Sequence, residues 1–201
     1  IDVSAVDLAK IAAAAGQQGL GREGVAGITA FTESVARMAS VLDLTADQAA
    51  KDIGKVANIF KIPLLEIERA VSTFNEVSNN STAEGEELLD VVKRIGDAAG
   101  RLNLQQSIAL AATGLDFGQS PEVVGTAFAK VFTSLTQKAQ DFGRLLYGET
   151  SGATEKWLAQ LDTDGLKAFQ SVLAKLRDLQ PVAQQRPAVV VALHLVAAEL
   201  A

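Results

Sequence analysis

The 201-residue sequence contains no cysteine and one histidine. Without thiols the fold cannot rest on disulfides or thiolate metal sites, and a single imidazole is too few for the histidine-rich zinc constellations. A metal would need clustered carboxylates, and no such cluster stands out, so no metal and no cofactor is expected. Aromatic residues are 5% of the chain and prolines number four, while the 48% apolar share comes largely from Ala, Leu, Val and Ile. That balance favours helices over a sandwich or barrel, whose strands draw on aromatic residues. Positive charge is also short, with 18 Lys and Arg against 24 Asp and Glu, for a formal net charge of −6. Nucleic-acid affinity depends on cationic side chains replacing condensed counterions, so no nucleic-acid partner is expected for this segment. No membrane span is expected either. The apolar run 188–201 falls short of the about 20 residues a span requires and reads as a core or interface helix. The chain begins at Ile1 without a signal sequence and stops at Ala201 inside that run, which reads as a piece of something longer.

What is present is helical periodicity. Val6, Leu8, Ala9, Ala12 and Ala13 carry a first helix over 3–15, ended by Gly16 and followed by a glycine-rich connector at 16–24. Ile28, Phe31, Val35, Met38 and Leu42 step by three and four, which predicts a helix over 25–42. Thr45 and Gln48 have the spacing of a capping box, opening a helix that carries Ala49, Ile53, Val56 and Phe60 on one face and pairs back on its predecessor. Pro63 suits a first turn, with Ile67, Val71 and Phe74 behind it and Asn79-Asn80 as the stop. Ser81 and Glu84 repeat the capping-box spacing before Leu88, Val92, Ile95, Ala99 and Leu102, a helix expected to end at Asn103. Ile108, Ala111, Ala112 and Leu115 mark a shorter helix, and Ser120-Pro121-Glu122 opens the next, whose face is Phe128, Val131, Phe132 and Leu135.

After Gly143 the pattern is less regular through Tyr147, Gly148 and Gly152, which predicts a flexible connection and a domain division near 145–152, between 1–145 and 146–201. Segments 155–161, 166–179 and 188–200 read as three further helices, punctuated by Asp162, Asp164, Pro181 and Pro187. No segment alternates as a strand should. The expected fold is therefore all-α: a multi-helix bundle of antiparallel helical hairpins with a smaller C-terminal helical subdomain. Pro63 to Phe74 and Pro121 to Phe132 share one interval, and each follows a Leu-polar-Leu corner, Leu42-Asp43-Leu44 or Leu102-Asn103-Leu104. A duplicated hairpin unit and convergent hairpin grammar explain this equally well.

Several local patterns suggest chemistry and read more simply as structure. Gly19-Leu20-Gly21-Arg22-Glu23-Gly24 spells the dinucleotide fingerprint, with Asp43 near the spacing of a ribose-binding acid. That motif works only after a strand in a βαβ unit, and here an Ala-rich helix precedes it, so a plain loop is expected. Asn79-Asn80-Ser81-Thr82 holds two overlapping glycosylation sequons that read as a polar turn and cap. Glu84, Glu86, Glu87 and Asp90 complement the positive end of a helix dipole. His194 reads as a helix-face residue, and the hydroxyls of Thr113 and Ser120 have neither a nucleophile elbow nor a base, so no catalytic constellation is present.

On the Asn-Asn-Ser/Thr corner, Lys93-Arg94-Ile95-Gly96, Gly114-Leu115-Asp116-Phe117-Gly118, and Ser120-Pro121-Glu122-Val123-Val124-Gly125-Thr126-Ala127, residues 83–132 resemble the core region of the phage tail tape measure family. Upstream, residues 31–39, 43–50 and 53–57 are similar as well, so that the resemblance covers about residues 3–135. It implies a structural, non-enzymatic segment of a phage or prophage protein that fills the tail tube, sets tail length by its own length, and leaves the tube on infection. It implies tail-tube and tail-assembly proteins as partners, a location in the lumen of the virion tail, and the host cytoplasm during assembly. Asn79, Asn80, Ser120, Pro121, Glu122, Gly125 and Thr126 would then shape the fold: Ser120 and Pro121 start a helix, Glu122 favours its dipole, and Gly125 admits a neighbouring backbone. Self-association through apolar helix faces is expected, with Gly96, Gly100 and Gly125 as a small-residue ridge. A helical binding or adaptor module without catalytic activity shares the same composition and is the competing reading.

Overall fold

The computed structural model describes residues 3–42, 44–96 and 100–179. The helix expected at 188–200, His194, Pro181, Pro187, Asp43 and Ala99 lie outside the described residues. Among the described residues there are ten α-helices and no strand, so the chain is all-α as its periodicity implies.

The helices are α1 (Ala5–Gln17), α2 (Gly24–Val41), α3 (Ala46–Phe60), α4 (Ile67–Asn79), α5 (Gly85–Ile95), α6 (Leu104–Asp116), α7 (Pro121–Gln137), α8 (Ala139–Tyr147), α9 (Ala153–Thr163) and α10 (Gly165–Leu179). Short 3-10 turns at Leu20–Glu23 and Leu64–Glu66 precede α2 and α4, so Pro63 opens a 3-10 turn rather than the α-helix itself. Side chains cap the orphan N–H groups at several starts. Ser4 Oγ accepts from Asp7 N at 3.1 Å, and Thr45 Oγ1 accepts from Gln48 N at 3.2 Å. Asn103 and Gln106 form a full capping box, with Asn103 Oδ1 accepting from Gln106 N at 2.8 Å and Gln106 Oε1 accepting from Asn103 N at 3.1 Å.

Three expectations about element ends are corrected. Gln48 does not close a box with Thr45, because its amide donates to Asp52 Oδ2 at 2.6 Å instead. Ser81 does not cap α5: its hydroxyl donates to Val77 O at 2.9 Å at the end of α4, and Glu84 becomes the cap, its N–H donating to Glu87 Oε2 at 3.1 Å. The helix through Leu88 and Ile95 ends at Ile95, and Asn103 opens α6 rather than ending α5. Gly143, where the pattern loosens, lies inside α8, and segment 148–152 is the short turn that joins α8 to α9, two helices packed on each other.

Contacts cluster into two units. Of the described residues, 3–42, 44–96 and 103–125 form the first, and 100–102 with 126–179 the second. In the first, α1 packs on α2 and α3, α2 on α3 and α4, and α5 on α3, α4 and α6. Phe31, Met38, Phe74, Leu88, Ile95 and Ile108 are fully buried at its centre. In the second, α8, α9 and α10 pack together around Trp157, whose indole N–H donates to Leu135 O of α7 at 2.8 Å. The Phe169 ring lies 6.5 Å from that of Phe128, edge to face as aromatic quadrupoles favour, and 5.7 Å from that of Phe132 in a tilted arrangement. Residue 101 completes this unit: its guanidinium pairs with Asp162, and Gly165 N donates to Arg101 O at 3.1 Å.

Candidate functional site

The motif residues Asn79 and Asn80 end α4. Asn79 Nδ2 donates to Asn75 Oδ1 at 3.2 Å, and Asn80 Nδ2 donates to Glu76 O at 2.7 Å, so the second amide satisfies one of the helix's orphan carbonyls. Beyond them, Thr82 ties the corner to the far end of α6. Both its N–H and its hydroxyl donate to Asp116 Oδ1, at 2.9 and 2.6 Å. The Thr82 hydroxyl, and then its N–H, hold the Asp116 carboxyl below the ordinary value of 3.8, since both donors favour the ionised form.

The turn from α6 to α7 uses Gly118 in the left-handed region at φ 71°, with its N–H donating to Leu115 O at 2.7 Å. Ser120 holds the start of α7 chiefly through its carbonyl, which accepts from Val124 N at 3.0 Å; its hydroxyl is 3.5 Å from Val123 N, at the edge of hydrogen-bonding distance. Pro121 is the first residue of α7, and Glu122 reaches Arg94 Nη2 of α5 at 3.5 Å. Arg94 is also bound by Asp90, Nε to Oδ2 at 2.8 Å, and that hydrogen bond raises the guanidinium pKa further. A Cβ at Gly125 would stand 2.7 Å from both Cβ and Cδ of Arg94. What approaches Gly125 is thus the stem of a side chain and not, as expected from the sequence, a backbone. Thr126 is exposed. The seven motif residues do not converge on one pocket; those other than Thr126 lie at two separate helix junctions.

The expected glycine ridge is not a shared surface. Gly96 faces Ile59, whose Cδ1 would lie 2.6 Å from a Cβ added there; Gly125 faces Arg94; Gly100 has open space. The Gly19–Gly24 segment follows α1, not the strand that the dinucleotide motif requires, and the Glu23 carboxylate accepts from Leu64 N at 2.7 Å. At the acidic start of α5, Glu87 is engaged by Glu84 N and Asp90 by Lys93 and Arg94. Among the described residues no group of three or more His, Cys, Asp or Glu is placed to hold a metal ion. Among them, too, no helix is long and apolar enough to cross a membrane. A groove of about 160 Å³ between α2 and α4, floored by Met38 and Val71 and bridged by Arg37 and Glu68 at 2.6 Å, is below the roughly 300 Å³ at which small-molecule sites begin.

One polar cluster was not singled out by the sequence. Asp52, only 5% exposed, lies on the apolar face of α3, where Oδ1 meets Lys93 Nζ of α5 at 3.0 Å and Oδ2 accepts from Gln48. Its signal was a carboxylate set between Ala49, Ile53 and Val56 at helical spacing; its partner, 41 positions away, left none. Trp157 was likewise missed, although Ala153, Trp157 and Leu161 repeat at intervals of four.

Comparison with known proteins bears on the whole chain. A model of the phage-related minor tail protein family matches residues 1–193. A probable tape measure protein of Halomonas phage phiHAP-1 is 27% identical over 144 residues, which are 68% of this chain and 17% of that protein. The chain therefore spans under a fifth of the length of this relative. No solved structure matches. With helices throughout the described residues and a family match across nearly its full length, the chain belongs to the phage-related minor tail protein family.

Proposed function

We propose that this chain is a segment of a tape measure protein, lying in the lumen of the phage tail and contributing to the length at which tail assembly stops. The observation that carries the reading is the family match over residues 1–193, to which the similarity to a probable tape measure protein adds. The architecture is compatible with it: junctions built from caps, turns and ion pairs, with motif residues that shape helix ends rather than converge on a reactive centre. The segment acts without catalysis, and its partners are the tail tube and tail-assembly proteins.

A helix advances 1.5 Å per residue, so a chain measures distance by its length if it is drawn out along the tube. The two units would then rearrange from packed helices into an extended stack. The test is an in-frame deletion of 139–179 in the phage that encodes the chain, with tails measured by electron microscopy. Removing roughly 40 extended helical residues shortens the tail by about 60 Å. Intact tails of unchanged length would overturn the reading and leave the adaptor alternative standing.

A further inference from the structure

α3 is poor in large buried side chains. Of its seven buried residues, Ala49, Ala50, Gly54 and Ala57 offer little apolar area, Asp52 is charged, and only Ile53 and Val56 are sizeable. α5, against which it packs, buries Leu88, Leu89, Val91, Val92 and Ile95. Apolar attraction scales with area, so α3 is held the more weakly of the two.

Both flanks of α3 are also polar. Toward α5 lies the Asp52–Lys93 pair at 3.0 Å, whose mutual attraction is offset by the cost of withdrawing two charges from water. Toward α1 lies Gln18, pressed so close to Gly54 that a Cβ there would be 2.6 Å from the Gln18 Cδ. The Gln18 amide donates to Ala50 O at 3.2 Å, while its Oε1 is buried and accepts no hydrogen bond from the protein, a group that water would satisfy on release. Asn58 reaches back to Gln18 O at 3.2 Å, so this flank too is held by polar contacts that water can replace. A helix with small apolar contacts and water-replaceable polar ones is the type of element that opens locally before the whole unit unfolds.

We propose that α3 is a release helix: it detaches from α1, α2 and α5 in a local opening while α4, α5 and α6 stay folded, and it uncovers the apolar faces beneath it. The Asp52–Lys93 pair is the weak point of its packing: breaking the pair loosens α3, and replacing both charges by apolar side chains tightens it. This device stands independently of the tail-length reading, because it is measured on the isolated chain and the other on assembled tails.

The test is native-state hydrogen exchange of the full chain, read by mass spectrometry on peptides from α3 and α5. The α3 amides exchange at least about ten-fold faster than those of α5, through an opening that leaves α5 and α6 protected. Asp52→Asn takes from Lys93 the shorter of its two ion pairs, leaving Asp90 at 3.6 Å, and speeds α3 exchange by a further ten-fold or so, with α5 unchanged. The paired substitution Asp52→Leu with Lys93→Met removes both charges and slows α3 toward the rate of α5. Should the paired variant fail to fold, the unaltered chain and Asp52→Asn still decide the matter. Joint exchange of α3 and α5, equal acceleration of both by Asp52→Asn, or an unchanged α3 rate in a folded paired variant would overturn the proposal.

Discussion

The first unit brings its helices together mainly through aliphatic side chains, around two buried rings, Phe31 and Phe74, with Asp52, Ser34 and Ser107 buried among them. The second closes on rings: six of the ten aromatic residues fall in it, and Trp157 takes part both in the core and in a hydrogen bond to the α7 backbone. Cores of small side chains spread their stability over many contacts, so that a single helix can be weakly held. Cores built on a few large rings concentrate it, since one such ring buries roughly 150–250 Å². The contrast predicts mostly small mutational effects in the first unit outside Phe31 and Phe74, and a few large ones in the second.

The largest expected effect is therefore Trp157→Ala. Truncating a fully buried indole costs about 3–5 kcal/mol and strands the Leu135 carbonyl. Urea unfolding followed by circular dichroism gives the loss, and hydrogen exchange locates it: protection falls in α8, α9 and α10 while α5 keeps its own. Equal loss of protection in α5 would erase the distinction between a concentrated and a distributed core.

A smaller effect sharpens the same contrast at two glycines. A Cβ at Gly143 would lie 2.8 Å from the Ala153 carbonyl carbon and oxygen, main-chain atoms of α9 that cannot move alone. At Gly125 the obstacle is the stem of the partly exposed Arg94. Gly143→Ala costs about 1–3 kcal/mol by overpacking, whereas Gly125→Ala costs under about 1 kcal/mol, the clash being offset by the better helix propensity of alanine. Thermal melts of the two variants check the order, and a Gly125 variant less stable than its Gly143 counterpart would reverse it.

These glycines also show how far the sequence could be read. Helical spacing identified the faces of α2, α4, α6 and α7 because a packed amphipathic helix repeats its apolar residues every three or four positions, and Phe31, Val35 and Met38 are indeed buried. It misplaced the end of α5 because Leu102 continues the same spacing past Ile95, while the chain turns and Asn103 caps a new helix. The Ser81–Glu84 box failed for a tertiary reason: Asp116 claims Thr82, and Ser81 bonds back into α4. The resemblance of 83–132 to tape measure proteins agreed with the family match, yet what Glu122 and Gly125 touch depended on Arg94 of α5, a contact no linear spacing encodes.

The smallest expected effect concerns charge. Among the described residues, the two carboxylates held below their ordinary value, Asp7 by Ser4 and Lys10 and Asp116 by Thr82, both belong to the first unit. A carboxyl that binds its proton less readily when folded than when unfolded stabilises the fold above its unfolded pKa, near 3.8, and loses that contribution as pH falls through the lower folded value. Asp116→Asn keeps an acceptor for Thr82 but has no charge to titrate. At about pH 6 the unaltered chain melts above this variant, and the gap narrows steadily toward about pH 2.5 as Asp116 takes up its proton. The comparison of melting temperatures across that range tests the linkage directly. A gap that stayed constant would show that Asp116 titrates alike in folded and unfolded chains, and that the α4–α6 corner is held by the shape of its hydrogen bonds alone.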